Sequence, residues 1–358
     1  MYVRDLILEL QKAGQNNFVV CRQFSVIDEA CQTAGIPVIH TSTNLKLSLT
    51  EVYRLSYFIK SNKIATIFSH SRNDVFSGAV IKKLTGVKHI HAVYMGTGPK
   101  KDVIHRFIYE TVDCLITSSE FSKRECENYL PVPAGAVKLV RYGRHPENYS
   151  VLPGARKQIR EQMKTPDDKL VIAVMSRIDN GKGVGVFANA LQFIDEKSAS
   201  KIEFWIMGEP TVKEVDENGG VIYEEQAAEL YSELQQLSNQ KPELLKLIPF
   251  QKEYIPWLAA MDIFVLPTHN EMYSLSVIDA MMMGLPVIGT DAGGTTEQIG
   301  ENERGILVPS ASSKAIANAI ISFLHNPRSI KIKGENARLW ASSHHNFDST
   351  VSRIISFL

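Results

Sequence analysis

An α/β architecture of two doubly wound, Rossmann-like domains is the fold class that this sequence predicts, and three observations predict it. A chain of 358 residues, 44% of them hydrophobic, is longer than one core normally serves and rich enough to bury two. Short apolar, β-rich runs alternate with segments of helical period from Phe18 to Pro309. Two of the strand-to-helix junctions, Met175–Val184 and Pro267–Glu297, carry glycines together with charged side chains, the local grammar of a ligand-binding α/β unit.

The chain opens with helical periodicity over Tyr2–Lys12, where Val3, Leu6, Ile7 and Leu10 share a face. Strand and helix then alternate. Strands are predicted at Phe18–Cys21, Ile36–Ile39, Ile64–Phe68, His89–Tyr94, Cys114–Thr117 and Lys138–Arg141. Helices are predicted at Leu49–Ser61, Val75–Leu84, Asp102–Val112 and Glu120–Leu130. A doubly wound domain normally begins with its central strand, and none precedes the first helix here, so a central gap in the sheet is expected. An upstream start or a truncation would account for it.

Turn residues between Tyr142 and Gly154 mark the linker. The boundaries expected are a first domain over residues 1–148, a second over 149–340, and a terminal helix over 341–358 that crosses back to the first. In the second domain a helix over Arg156–Met163 precedes the buried-type strand Leu170–Met175 and a helix over Val184–Ile194. Ile202–Met207 is a strand, 210–222 reads as a polar loop, and Glu225–Leu237 as a long helix. Strands follow at Leu247–Phe250 and Asp262–Pro267. A helix begins near Ser274 and stops at Gly284-Leu-Pro286, by the usual glycine-then-proline signal. Pro286–Thr290 and Gly305–Pro309 are strands, Ser313–His325 is a helix, and 337–358 is helical and amphipathic.

The chemistry of the second junction is that of a phosphate and its sugar neighbours. A helix start near Ser274 offers unpaired N–H groups and a partial positive charge to an anion. Glu271 just before it and Asp279 two turns inside it are poor partners for phosphate and good ones for sugar hydroxyls. In the other junction Arg177 offers a planar fork of donors and Lys182 a movable point charge. Together they describe a nucleotide sugar; taken singly, each is also what a solvated loop carries.

Glu271, seven residues, Asp279, then Ala280-Met281, Gly284, Pro286-Val287 and Gly293-Gly294 with Glu297 resembles the donor signature of retaining glycosyltransferases of family 4, which have the GT-B fold of two Rossmann-like domains facing a cleft. Ser176-Arg-Ile-Asp-Asn-Gly-Lys182-Gly183 resembles that family's Gly-Arg-Leu-x-x-x-Lys-Gly. The departures are Asp279 for the family's second Glu, Met272 and Ser274 at places usually held by glycine, and Ser176 for glycine.

The resemblance implies a retaining transfer of sugar from a nucleoside-diphosphate donor, without metal or other cofactor, by front-face attack as the diphosphate leaves. Arg177 and Lys182 would stabilise the leaving group, with backbone N–H from Leu275 and Ser276. Glu271 would hold the donor sugar and Asp279 the ribose. His91, Tyr94 and Ser119 occupy the acceptor and sugar side, although His89 and His91 on one strand face fit a packed, hydrogen-bonded pair equally well. A nucleotide-sugar 2-epimerase, a catalytically weak nucleotide-sugar-binding scaffold and a purely structural partner of another transferase are the alternatives.

Charge is zero overall but uneven, with 19 Lys and Arg against 13 Asp and Glu in residues 1–150. Scattered surface lysines account for such an excess. So does a face for anionic lipid or a phosphorylated acceptor, and a bacterial cell-envelope glycan or glycolipid is the acceptor expected. No basic stretch is interleaved with aromatics as in a nucleic-acid-binding module. Cys21, Cys31, Cys114 and Cys126 form no ligand or disulfide spacing and fit a reducing cytoplasm. No signal-peptide block opens the chain and no run is long enough to span a bilayer, so a cytoplasmic protein is expected, with peripheral contact at the inner face of the membrane. No Asp-x-Asp triplet is present, and His344-His345 reads as a surface pair.

Overall fold

The computed structural model describes residues 2–42, 47–150, 153–215 and 220–358. The chain divides into two compact units, one of residues 1–144 with 345–358 and one of residues 145–344.

In the first unit, helices α1 (Tyr2–Lys12), α2 (Val26–Thr33), α3 (Leu49–Ser61), α4 (Asp74–Thr85), α5 (Val103–Tyr109) and α6 (Glu120–Tyr129) alternate with six strands. These are β1 (Val19–Arg22), β2 (Val38–Thr41), β3 (Thr66–Ser69), β4 (Lys88–Val93), β5 (Cys114–Thr117) and β6 (Val137–Leu139). All the pairings are parallel, but they form two sheets, β1-β2 and β3-β4-β5-β6. Among the described residues no ladder joins β1 to β3, which is where the central strand of a doubly wound sheet belongs. The helices close over the sheets by burying one face each; Val52, Leu55 and Ile59 of α3 pack with Ile81 of α4 and Val87.

The terminal helix Phe347–Ile355 belongs to this unit. Arg144 N–H donates to His345 O at 2.6 Å, Phe347 N–H donates to Arg144 O at 3.0 Å, and Thr350 Oγ1 donates to Arg141 O at 3.0 Å. A side chain at Gly143 would meet Phe347 Cα at 2.6 Å, so only glycine lets the two segments lie this close. His345 is fully buried with its Nδ1 2.9 Å from Tyr142 O, which corrects the surface reading of that histidine. The preceding helix, Pro327–His344, ends there, and the next residue turns inward to make this seam.

In the second unit the strands are β7 (Leu170–Met175), β8 (Ile202–Met207), β9 (Val212–Val215), β10 (Val221–Tyr223), β11 (Leu245–Ile248), β12 (Ile263–Leu266), β13 (Val287–Thr290) and β14 (Gly305–Val308). The helices are α7 (Ala155–Gln162), α8 (Val184–Asn189), α9 (Glu196–Ala199), α10 (Glu225–Gln240), α11 (Ile255–Ala260), α12 (Leu275–Met282), α13 (Thr295–Ile299), α14 (Ser313–His325) and α15 (Pro327–His344). Six parallel strands run in the order β11-β8-β7-β12-β13-β14, so the winding reverses between β7 and β12. Their near-continuous apolar runs are buried on both faces, as a parallel sheet covered by helices requires.

The stretch 210–222, read as a loop, instead contains the antiparallel pair β9-β10. Its alternation is weak because both strands are largely exposed, and pairing with each other, rather than burial, holds them extended. Helices α2, α9 and α11 also escaped the sequence reading, being short segments of eight, four and six residues; and the continuous helix expected over 337–358 is instead two, Pro327–His344 and Phe347–Ile355, the first beginning ten residues earlier than expected and the break falling where His345 turns into the core.

Candidate functional site

The two charged junctions follow β7 and β12, the strands that flank the point where the winding reverses, and loops there are where doubly wound sheets place ligands. The β7 loop is shaped by its own residues. Asp179 Oδ1 accepts from Lys182 N–H at 2.9 Å, while Asp179 Oδ2 accepts from Thr211 Oγ1 at 3.0 Å and lies 3.6 Å from Arg177 Nη2. Gly208, with φ of 149°, passes so close that a side chain would sit 1.9 Å from Ser176 O. The Arg177 side chain is 63% exposed and the loop leaves it reaching into solvent.

The same loop is tied to the one after β12. Gly181 O accepts from Thr268 Oγ1 at 3.0 Å and from His269 N–H at 3.1 Å. Gly183, in the left-handed region at φ of 66°, approaches Pro267 O to where a Cβ would be 2.0 Å away. These contacts bring Lys182 to Glu271, 89 residues on, with Nζ 2.8 Å from Oε2. Gly294 N–H in turn donates to Glu271 O at 2.8 Å, so the Gly293-Gly294 turn backs the carboxylate's own peptide.

Helix α12 begins as expected, with Ser274 as N-cap accepting from Val277 N–H. That cap leaves the first-turn amides of half-exposed Leu275 and Ser276 pointing out of the helix mouth. Buried Gln298 of α13 holds the cap from behind, its Oε1 accepting from Ser274 N–H and its Nε2 donating to Ser274 O, both at 2.9 Å. Met272, at a place where glycine was the comparison, is buried in the core, which is why a large side chain is accommodated there.

Asp279 lies on the buried side of α12, 4% exposed. Tyr149 Oη donates to its Oδ1 at 2.5 Å and Tyr254 Oη to its Oδ2 at 3.2 Å. The structure therefore joins Lys182 to Glu271, which precedes the first turn of α12 formed by Leu275 and Ser276, leaves Arg177 in solvent beside Asp179, and sets Asp279 deeper, beneath two phenols. Asp179, Gln298, Tyr149 and Tyr254 are the residues that sequence reasoning missed. Only Asp179 had a local signal, an acid three residues before the lysine at an N-cap. Removing the Tyr254 hydroxyl by Tyr254→Phe is expected to raise nucleotide affinity by about 1 kcal/mol, one hydrogen bond that a ribose at Asp279 no longer has to displace, read as a fall in Kd by titration calorimetry.

The residues assigned to the acceptor side lie in the first unit. His91 is 2% exposed with Nδ1 2.9 Å from Ser69 Oγ, and the same hydroxyl lies 2.9 Å from His89 Nε2. Burial pushes both imidazoles down, His89 to about 4 and His91 to about 3, so both are neutral. Of the two readings the packed, hydrogen-bonded pair fits these facts. Tyr94 Oη lies 2.7 Å from His70 Nδ1, and Ser119 is fully buried as the N-cap of α6, accepting from Ser122 N–H.

An unfolded histidine binds its proton near pH 6.5, above both of these folded values, so the unfolded state holds more protons in between. Stability is fully present above pH 6.5 and is lost as pH falls toward 4 and below, by about 2 kcal/mol per ring at pH 5. The unfolding midpoint of the first unit is expected to drop between pH 7 and pH 5 in a thermal scan, and His89→Gln to reduce that drop.

Sequence profiles match along almost the whole chain, that for Glycosyl transferases group 1 over residues 155–340 and that for Glycosyltransferase Family 4 over residues 1–148. The chain belongs to the family 4 glycosyltransferases. Its fold is GT-B: a crystal structure of Anabaena Alr3699/HepE in complex with UDP superposes with a TM-score of 0.83 at 16% identity, covering 99% of this chain and 94% of that one. WaaG, a glycosyltransferase involved in lipopolysaccharide biosynthesis, superposes with a TM-score of 0.69 at 12% identity, over 99% and 94% of the two chains. Among curated relatives, the D-inositol 3-phosphate glycosyltransferase of a Nocardioides species is 23% identical over 293 residues, 75% of this chain and 62% of the relative. This family 4 chain thus spans about half to three fifths of the length of the curated relatives it matches over most of its own length.

Proposed function

We propose that this family 4 chain transfers a sugar from a nucleoside-diphosphate sugar, UDP-linked in the first instance, to a hydroxyl of an anionic cell-envelope glycan or glycolipid, with retention at the anomeric carbon. The observation that carries it is the Lys182–Glu271 pair beside the mouth of α12. A cation and a helix mouth suit the diphosphate, and a carboxylate suits the sugar attached to it.

In this reading the donor parts Lys182 from Glu271. Lys182 and Arg177 then take the phosphates, with the amides of Leu275 and Ser276, and Glu271 accepts from hydroxyls of the sugar. As the anomeric C–O bond breaks, negative charge grows on the diphosphate, where two side-chain cations and two fixed amides already stand. The acceptor oxygen bonds to the same face of the anomeric carbon, and its proton leaves toward the departing phosphate. No residue of this chain is a metal ligand in that scheme. UDP in the crystal structure of Alr3699/HepE supports the nucleotide, and the inositol phosphate in the curated relatives' name supports a phosphorylated acceptor.

Asp279 gives a second reading its footing. Its carboxylate is buried and holds two phenols, so a ribose must displace or share with Tyr149 or Tyr254, and a chain that binds donor weakly and scaffolds other transferases is consistent with that. A thermal-shift titration with UDP, GDP, ADP and CMP decides between them. Ligand at ~100 times its Kd stabilises by roughly 2.7 kcal/mol. A shift with UDP that is absent in Lys182→Ala supports transfer; no shift with any nucleotide overturns it in favour of the scaffold.

A further inference from the structure

Asp179 stands between the two cations of the donor loop and is itself held by a residue from outside that loop. Its Oδ1 accepts from Lys182 N–H and is spent on the turn Asn180–Lys182 that it caps. Its Oδ2 has two claimants. Thr211 Oγ1 donates to it at 3.0 Å, and Arg177 Nη2 stands 3.6 Å away, an ion pair too long for a hydrogen bond.

Thr211 is set in place by the backbone on both sides of it. Before it, Ile178 N–H donates to Glu209 O at 2.8 Å, a bridge pairs Ile178 with Pro210, and Gly208 passes against Ser176 O, so the chain leaving β8 runs along the donor loop. After it, Glu224 N–H donates to Thr211 O at 2.9 Å, and α10, which begins at the next residue, packs on the Asn180–Lys182 turn. Among the described residues of 210–222 only Pro210 and Thr211 are buried, while those of β9 and β10 stand in solvent. The root of this hairpin is therefore fixed, and what it presents to the donor loop is one hydroxyl.

Electrostatics give that hydroxyl its consequence. Arg177, 63% exposed and two residues from a carboxylate, has the freedom to close the gap into a charge-assisted pair of about 2.8 Å. A diphosphate that needs the guanidinium would then have to open the pair first. With Thr211 bonded to Oδ2, the carboxylate holds Arg177 less tightly and the guanidinium stays available to an arriving anion.

We propose that Thr211 is a positioning residue for donor binding: its hydroxyl engages Asp179 so that this carboxylate orders the Lys182 turn without capturing Arg177. The role rests on the donor reading above, in which Arg177 leaves Asp179 for the diphosphate.

The test is titration calorimetry with UDP on the full chain. Thr211→Val keeps the shape of the side chain and removes the donor. The Kd for UDP should rise about fivefold, the scale of an exposed ion pair that the ligand has to open. The ratio to wild type should shrink as salt is raised, because that pair is screened. Thr211→Ala, which introduces no new contact, should match Thr211→Val, and Thr211→Ser should restore the wild-type Kd. In an Arg177→Ala background Thr211→Val should leave the Kd where it is, since no guanidinium remains to be captured.

Unchanged UDP affinity in Thr211→Val and Thr211→Ala overturns the proposal. So does an equal loss in the Arg177→Ala background, which would make Thr211 a prop of the Lys182 turn. A wild type that binds no UDP removes the donor reading and this role with it, whereas wild-type binding that both variants retain removes this role alone.

Discussion

Replacing Lys182 by alanine is expected to lower sugar transfer by about 10²–10³-fold, the usual cost of losing one group that stabilises developing charge, while the protein stays folded. The side chain is 28% exposed and its partner Glu271 19%, so loss of the ion pair itself costs about 1 kcal/mol or less. The loop is held by other bonds, including Asp179 to the Lys182 amide and Gly181 O to Thr268, and these survive the substitution. Circular dichroism and the unfolding midpoint check the fold, and a donor-turnover assay checks the chemistry.

Glu271→Gln separates the two halves of the pair. UDP carries no sugar, and in this variant it no longer has to part Lys182 from a carboxylate. UDP affinity should hold or rise while transfer falls. Normal turnover in Lys182→Ala, or UDP binding lost in Glu271→Gln, would remove both residues from their proposed roles.

The second large effect is structural. Arg160 is 1% exposed, and its guanidinium donates to Asp262 Oδ2 at 2.5 Å and to the carbonyls of Ala260, Pro166 and Lys169. Asp262 also accepts from Val171 N–H at 2.7 Å, joining the start of β12 to the start of β7. Arg160→Ala leaves that carboxylate and several carbonyls without their partner, which costs about 3–5 kcal/mol. In a unit of this size the unfolding midpoint should fall by roughly 10 °C.

Arg156 pairs with the other oxygen of Asp262 but is 44% exposed, so Arg156→Ala should cost about 1 kcal/mol or less. Differential scanning calorimetry of the two variants tests the contrast. Equal, small shifts would mean that Arg160 is a bystander. The network matters to function because it sets β7 against β12, whose far ends carry the Lys182 and Glu271 loops.

What was readable in the chain was what local chemistry writes there. Hydrophobic period placed most strands and helices, since a buried parallel strand must be apolar throughout. Ser274 announced the start of α12, and Gly284-Leu-Pro286 its end, because a helix leaves backbone groups that only certain residues satisfy. The β9-β10 pair was not readable, because exposed strands that satisfy each other lack a buried face to impose alternation. Nor was the burial of His345, whose neighbours Tyr142 and Arg144 lie some 200 residues away in sequence.

The sequence by itself determined that two α/β units are present, that their charged junctions follow strands, and that an anion and a sugar are the ligands those junctions suit. These follow from residue type and spacing within about ten residues, where the backbone's own periodicity does the placing. Only the tertiary structure decided that Lys182 meets Glu271 across 89 residues, that Tyr149 reaches Asp279 across 130, and that Gln298 braces the cap of α12. Those facts depend on which loops the sheet brings to the same end and on how close two backbones come at Gly183 and Gly293. Sequence spacing carries no measure of either.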